Sequence, residues 1–70
     1  DLMENMIQAI ERLPKAHQAV LALHYFLAKE LQEVAEILGI TESRASHIHT
    51  ESVLSVYDAL AEVLGDNLPE

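Results

Sequence analysis

The chain contains no cysteine, which excludes a disulfide staple, a thiolate metal site and a cysteine nucleophile. It has only two glycines and two prolines in 70 residues, so it carries no glycine-rich phosphate loop and few breaks. Cations are scarce: Arg12, Lys15, Lys29 and Arg44 stand against 12 acidic residues, giving 4 − 12 = −8 with histidines neutral. That balance argues against nonspecific nucleic-acid binding, which rests on phosphate neutralisation. No apolar run approaches the ~20 residues of a membrane span, and the start lacks the basic-then-apolar form of a signal peptide. A first residue of Asp1 is what a fragment would show. Half of the residues are hydrophobic, so the chain is neither a disordered acidic tail nor a linker. Its length allows one domain, residues 1–70, with a modest core.

The apolar residues that are present recur at helical spacing throughout. Leu2, Met3, Met6, Ile7, Ile10 and Leu13 trace a first helix. Pro14 ends it and fits the first turn of a second. In that second helix Val20, Leu23 and Leu27 share a face, and Leu21, Tyr25 and Phe26 widen it, so this helix is expected to be the most buried. Leu31, Val34, Ala35 and Leu38 give a short third helix, closed by Gly39. Thr41 is an N-cap for a long fourth helix, roughly Glu42 to Leu64. Its inner stripe is Ala45, Ile48, Ser52, Val56, Leu60 and Val63 or Leu64. Gly65 is the expected stop and residues 66–70 a frayed tail. No strand alternation or internal repeat appears. The fold class is all-α: a small four-helix domain.

Residues 31–50 have the spacing of a helix-turn-helix. Ala35, four positions before Gly39, lets the two helices approach. Ile40 plugs the corner, and Ala45 and Ile48 return the chain to the core against Val34 and Leu38. Two packed helices joined by a glycine produce a similar pattern without a DNA role. In a true unit, residues near the start of the second helix meet base edges. Here those are Ser43, Arg44, Ser46 and His47, with Glu42 beside them and Thr50 a turn further on. Arg44 suits guanine or phosphate, or is simply a solvated arginine paired with a nearby acid. Ser43 and Ser46 suit phosphates, and His47 can donate or accept at a base edge.

The segments Ala9-Ile10-Glu11-Arg12-Leu13-Pro14, Val20-Leu21-Ala22-Leu23-His24-Tyr25, Leu31 to Ile40 and Thr41 to His49 resemble a known family. They are similar to the C-terminal domain of bacterial RNA polymerase sigma factors, most closely the motility or sporulation class of alternative sigma factor. The resemblance covers roughly residues 7–60. It implies a cytoplasmic transcription initiation factor module that recognises the promoter −35 element and docks on the flap of the polymerase beta subunit. It also implies anti-sigma or other regulatory proteins as partners. Arg44 matches a family position that contacts DNA, Ser43 and Ser46 match small polar positions beside it, and Glu42 matches the acid before the serine-arginine pair. His47 stands where glutamine is more usual, and His49 matches a histidine after the apolar core residue.

The departures from the family lie beyond His49, where lysines and arginines normally continue. This chain has none after Arg44. Residues 1–29 hold three acids and three bases, and residues 30–70 nine acids and one base, which is the whole −8. DNA binding by the chain alone is therefore expected to be weak. Val53, Leu54, Tyr57 and Leu64 lie off the inner stripe and form a candidate protein-interaction patch, unless the domain simply wraps this helix more fully. The alternative function is a sigma-like protein-interaction module or regulator with little or no DNA binding.

Catalytic and metal readings gain nothing from the residues. His47 and His49 are two apart on a helix and do not face one another. His47 and Glu51 make only two ligands, too few for zinc. No metal, cofactor, small-molecule substrate or enzyme activity is expected.

Overall fold

The computed structural model describes residues 1–65; the expected tail, residues 66–70, lies outside them. Four α-helices follow one another: α1 (Leu2–Glu11), α2 (Lys15–Leu21), α3 (Leu31–Leu38) and α4 (Glu42–Gly65). The all-α, four-helix expectation holds. Each boundary has a local cause. Asp1 caps α1 by accepting the Glu4 N–H at 2.9 Å. Past the end of α1, the Gln18 side-chain amide reaches back to donate to the Leu13 carbonyl at 2.8 Å and to that of Glu11 at 3.2 Å. Carbonyls that a helix end leaves orphaned are thereby satisfied. Pro14, extended at ψ 156°, sits at the N-cap of α2.

The second helix departs from expectation. After Leu21 the backbone widens into one π-helical turn, Ala22–Phe26, in which the Leu27 N–H bonds the Ala22 carbonyl at 3.2 Å. A π-turn inserts an extra residue into the helical ladder and so rotates everything after it. Leu23 still packs on the core, but Tyr25, Phe26 and Leu27 turn outward, with Phe26 81% exposed. This helix is therefore buried only at Val20 and Leu21, and the expectation that Tyr25, Phe26 and Leu27 add to its buried face is corrected. Ala28 follows at φ 54°, a left-handed conformation that costs an L-residue roughly 1–2 kcal/mol. The turn is tied down by the Lys29 carbonyl, which accepts from His24 Nδ1 at 2.8 Å.

The helix-turn-helix forms as its spacing predicts. Glu30 and Glu33 make a reciprocal capping box at the start of α3. Gly39 takes the left-handed conformation, φ 71°, and the Ile40 N–H closes the turn onto the Ala35 carbonyl. Thr41 Oγ1 then accepts the Arg44 N–H at 3.0 Å, capping α4.

The core is one cluster of Val20, Val34 and Ile48, from α2, α3 and α4, with Leu23, Leu31, Leu38 and Ile40 packed around it. Ala35 and Ala45 are buried at the crossing of α3 and α4, where small side chains allow close approach. Ser52 is wholly buried, and its hydroxyl donates to the Ile48 carbonyl at 2.7 Å, so it incurs no unpaired-polar cost. Further along α4, Val56, Leu60 and Val63 are only half-buried, because the 24-residue helix, roughly 36 Å long, outruns its neighbours. Truncating Ile48, 2% exposed and shared by three helices, opens a cavity that cannot collapse locally. Ile48→Ala is expected to cost about 2–5 kcal/mol, a large share of what so small a domain holds, measurable as a lowered denaturant midpoint.

Candidate nucleic-acid interface

The α3–turn–α4 unit presents the start of α4 outward. Ala45, Ile48 and Ser52 face the core, and on the other side Glu42, Ser43, Arg44, Ser46, His47 and Thr50 are all exposed. Arg44, His47 and Glu51 are three and four residues apart, so they follow one another along a single face. All five residues expected to read DNA (Arg44, His47, Ser43, Ser46 and Thr50) therefore lie on the exposed side of this helix. Among the described residues Arg44 forms no ion pair, although acids flank it in sequence. Glu33 is occupied with the Glu30 N–H, and the Glu51 oxygens lie against His17 and His47, with Arg44 near enough to act on the carboxylate but not paired with it.

Glu51 sits between two histidines. Its Oε1 lies 3.1 Å from His17 Nε2, on α2, and its Oε2 lies 3.5 Å from His47 Nε2, on its own helix. The His17 hydrogen bond holds the Glu51 carboxyl below its ordinary pKa of 4.5, and nearby His47 and Arg44 act the same way. His49, the next residue after the core anchor Ile48, is half-buried. It is bonded to the Tyr25 hydroxyl at 2.8 Å, stacks on the Tyr25 ring at 5.6 Å and meets His24 edge-on at 5.0 Å. Burial, and secondarily His24, push its pKa below the ordinary 6.5. His49 thus ties α4 to the π-turn and does not face outward with Arg44.

A second surface lies on the opposite flank. An apolar groove of about 360 Å³ runs between α1, the π-turn and the middle of α4, lined chiefly by Met6, Ile10, Tyr25, Phe26, Val53 and Tyr57. Of the expected interaction patch, Val53 and Tyr57 belong to this groove, whereas Leu54 and Leu64 are exposed but do not line it.

Residues 9–58 match the family described as Sigma-70, region 4. The chain belongs to that family. It is 37% identical over 57 residues to the RNA polymerase sigma factor FliA of Pseudomonas aeruginosa, covering 81% of this chain and 23% of that protein. It is 38% identical over 53 residues to FliA of Salmonella typhimurium, covering 76% and 22%. With FliA of Escherichia coli K12 the identity is 34% over 53 residues, again 76% and 22%. The chain thus spans less than a quarter of the length of these relatives. No solved structure gives a significant match.

Beyond Arg44 the exposed charges of α4 are Glu51, Asp58 and Glu62, so the reading face is cationic at one residue only. Sequence reasoning missed three side chains that shape this site. His17 and Tyr25 reach α4 from 34 and 24 residues away, and no local spacing signals either contact. Phe26 enters the groove only because of the π-turn. Among the described residues no three His, Cys, Asp or Glu side chains are grouped to hold a metal ion.

The two shifted groups set the acid behaviour of this region. His49 is harder to protonate folded than unfolded, so the unfolded chain binds more protons as pH falls. Its contribution is complete above about 6.5 and is lost as pH falls through its lower folded value. Glu51 contributes above 4.5 and loses that contribution through a still more acidic range. The melting temperature is therefore expected to decline between pH 7 and 5 and to fall again below 4.5. His49→Phe, which keeps a ring but cannot titrate, flattens the first decline.

Proposed function

We propose that this chain is the promoter-reading and polymerase-docking module of a sigma factor, recognising the −35 element through the exposed start of α4. The observation that carries the reading is a capped helix-turn-helix of the Sigma-70 region 4 family whose outward first turns present Arg44, without an ion pair among the described residues. Arg44 makes the central contact, bidentate to a guanine edge or to a phosphate. Ser43, Ser46 and Thr50 contact the backbone or neighbouring edges, and His47 takes the place of an amide donor and acceptor. The apolar groove receives the polymerase core at the flap of its beta subunit, and the same exposed apolar surface suits anti-sigma or other regulatory proteins. Such a module acts in the cytoplasm and performs no bond-making chemistry. No helix among the described residues is long and apolar enough to cross a membrane.

The charge defines how this module works. With one cation on the reading face, few phosphate counterions are released, so affinity alone is low and its salt dependence shallow. Inside a full transcription complex, other surfaces hold the promoter and supply effective concentration. A second reading, a region 4 fold serving mainly as a protein-interaction module, is favoured by the uninterrupted acidity of α4 after Arg44 together with the groove.

Fluorescence anisotropy of the chain against a short duplex carrying a −35 element, at low salt, separates the two. Weak but measurable binding is expected, with Arg44→Ala costing about 1–3 kcal/mol. Binding unaffected by Arg44→Ala overturns the assignment of Arg44. No duplex binding, combined with Tyr57-dependent binding to polymerase core, favours the second reading.

A further inference from the structure

The DNA-facing edge of α4 carries a carboxylate, Glu51, in line with its one cation, and a residue from outside the helix-turn-helix holds that carboxylate. We propose that His17 is a positioning residue for DNA binding: it anchors one oxygen of the Glu51 carboxylate to α2, keeps that carboxylate from closing on Arg44, and so leaves Arg44 available to phosphate or base. The proposal rests on the DNA-reading function argued above.

The geometry defines the roles. His17 Nε2 lies 3.1 Å from Glu51 Oε1, and the His17 side chain is only 14% exposed while that of Glu51 is 50% exposed. His17 Nδ1 is fully buried and has no hydrogen-bond partner among the described residues. A buried N–H lacking an acceptor is costly, so the ring proton belongs on Nε2, which donates to the carboxylate. An imidazole anchored this way in α2 is a fixed donor, which fixes the long Glu51 side chain against the body of the domain. The second carboxylate oxygen is taken up beside His47, 3.5 Å away. The charged groups that face Glu51 are thus His17 from α2, and His47 and Arg44 from its own helix.

Without that donor, nothing in the neighbouring helices holds Glu51, and its negative charge becomes mobile at the edge that must approach phosphates. It then repels the backbone directly and can close on Arg44. Both effects reduce an affinity that depends on a single arginine. An acidic residue on a reading face is in this way made tolerable without being removed.

Four variants test the assignment, with the same duplex titration at low salt. Glu51→Gln deletes the charge and is expected to tighten binding about fivefold, roughly the weight of one phosphate-linked charge. His17→Leu fills the buried site but cannot donate, and is expected to weaken binding about threefold, on the order of part of one such charge. His17→Gln, whose amide can donate at similar reach, restores most of the loss. His17→Leu combined with Glu51→Gln is expected to bind as tightly as Glu51→Gln alone. An equal loss from His17→Leu in both backgrounds would show that the histidine acts through packing, and overturns the proposal. A carboxyl titration of Glu51 by NMR reads the same contact without DNA. The Glu51 carboxyl should titrate below the ordinary range in the wild type and return towards it in His17→Leu; an unchanged titration overturns the proposal whatever the DNA result. If the titration behaves as expected but no variant binds the duplex, the DNA-reading function fails and the role of His17 in it fails too, while the contact itself stands.

Discussion

The whole domain depends on the inner stripe of one helix. Ala45, Ile48 and Ser52 are the residues that α4 buries most deeply, and all three are essentially removed from solvent. Two of them are small, so α4 can lie close to its neighbours, and the third supplies the apolar mass that joins Val20 and Val34. The same helix supplies the outward residues Ser43, Arg44, Ser46, His47 and Thr50. Orientation of the reading face is therefore not a separate property of this fold. It follows from which side of α4 is packed.

Around that axis the electrostatics run against the role. A DNA-contacting helix ordinarily gains most of its affinity from phosphate neutralisation, whereas α4, the helix proposed for that role, offers Arg44 against Glu42, Glu51, Asp58 and Glu62. The structure engages two of the acids, one along α4 and one at the start of α3. Glu33 bonds the Glu30 backbone, Glu51 is divided between two histidines, and Arg44 is left without an ion pair among the described residues. The apolar groove, by contrast, has no charge to manage, and its walls come from three different parts of the chain. The two surfaces are built by different physics: one by sparse polar groups on a fixed helix, the other by exposed apolar side chains.

Much of this was legible in the sequence where the signal is local. Gly39, the Thr41 cap, the small residue Ala35 and the stripe of Ala45, Ile48 and Ser52 each act within a few positions, and helical periodicity reports them directly. The region 4 pattern across α3 and the first turns of α4 was legible for the same reason. The π-turn was not. Its apolar residues keep the spacing of an ordinary helix, and only the extra residue in the hydrogen-bond ladder turns Tyr25 and Phe26 outward. Contacts between distant side chains were equally hidden. Neither His17 with Glu51 nor Tyr25 with His49 leaves any periodic trace, and the Gln18 cap on the preceding helix depends on a bend that Pro14 announces without describing. The outward residues at the start of α4 were placed by their position, and the groove was found only in part, through Val53 and Tyr57.

Tyr25 belongs to two places at once. Its ring lines the groove, and its hydroxyl is bonded to His49, the residue that follows Ile48 on the reading helix. Anything that enters the groove and shifts that ring also acts on the bond that steadies α4. By linkage, whatever free energy a groove ligand contributes to DNA binding, DNA contributes equally to the ligand. In the proposed function, one tyrosine thus makes docking and reading thermodynamically accountable to each other.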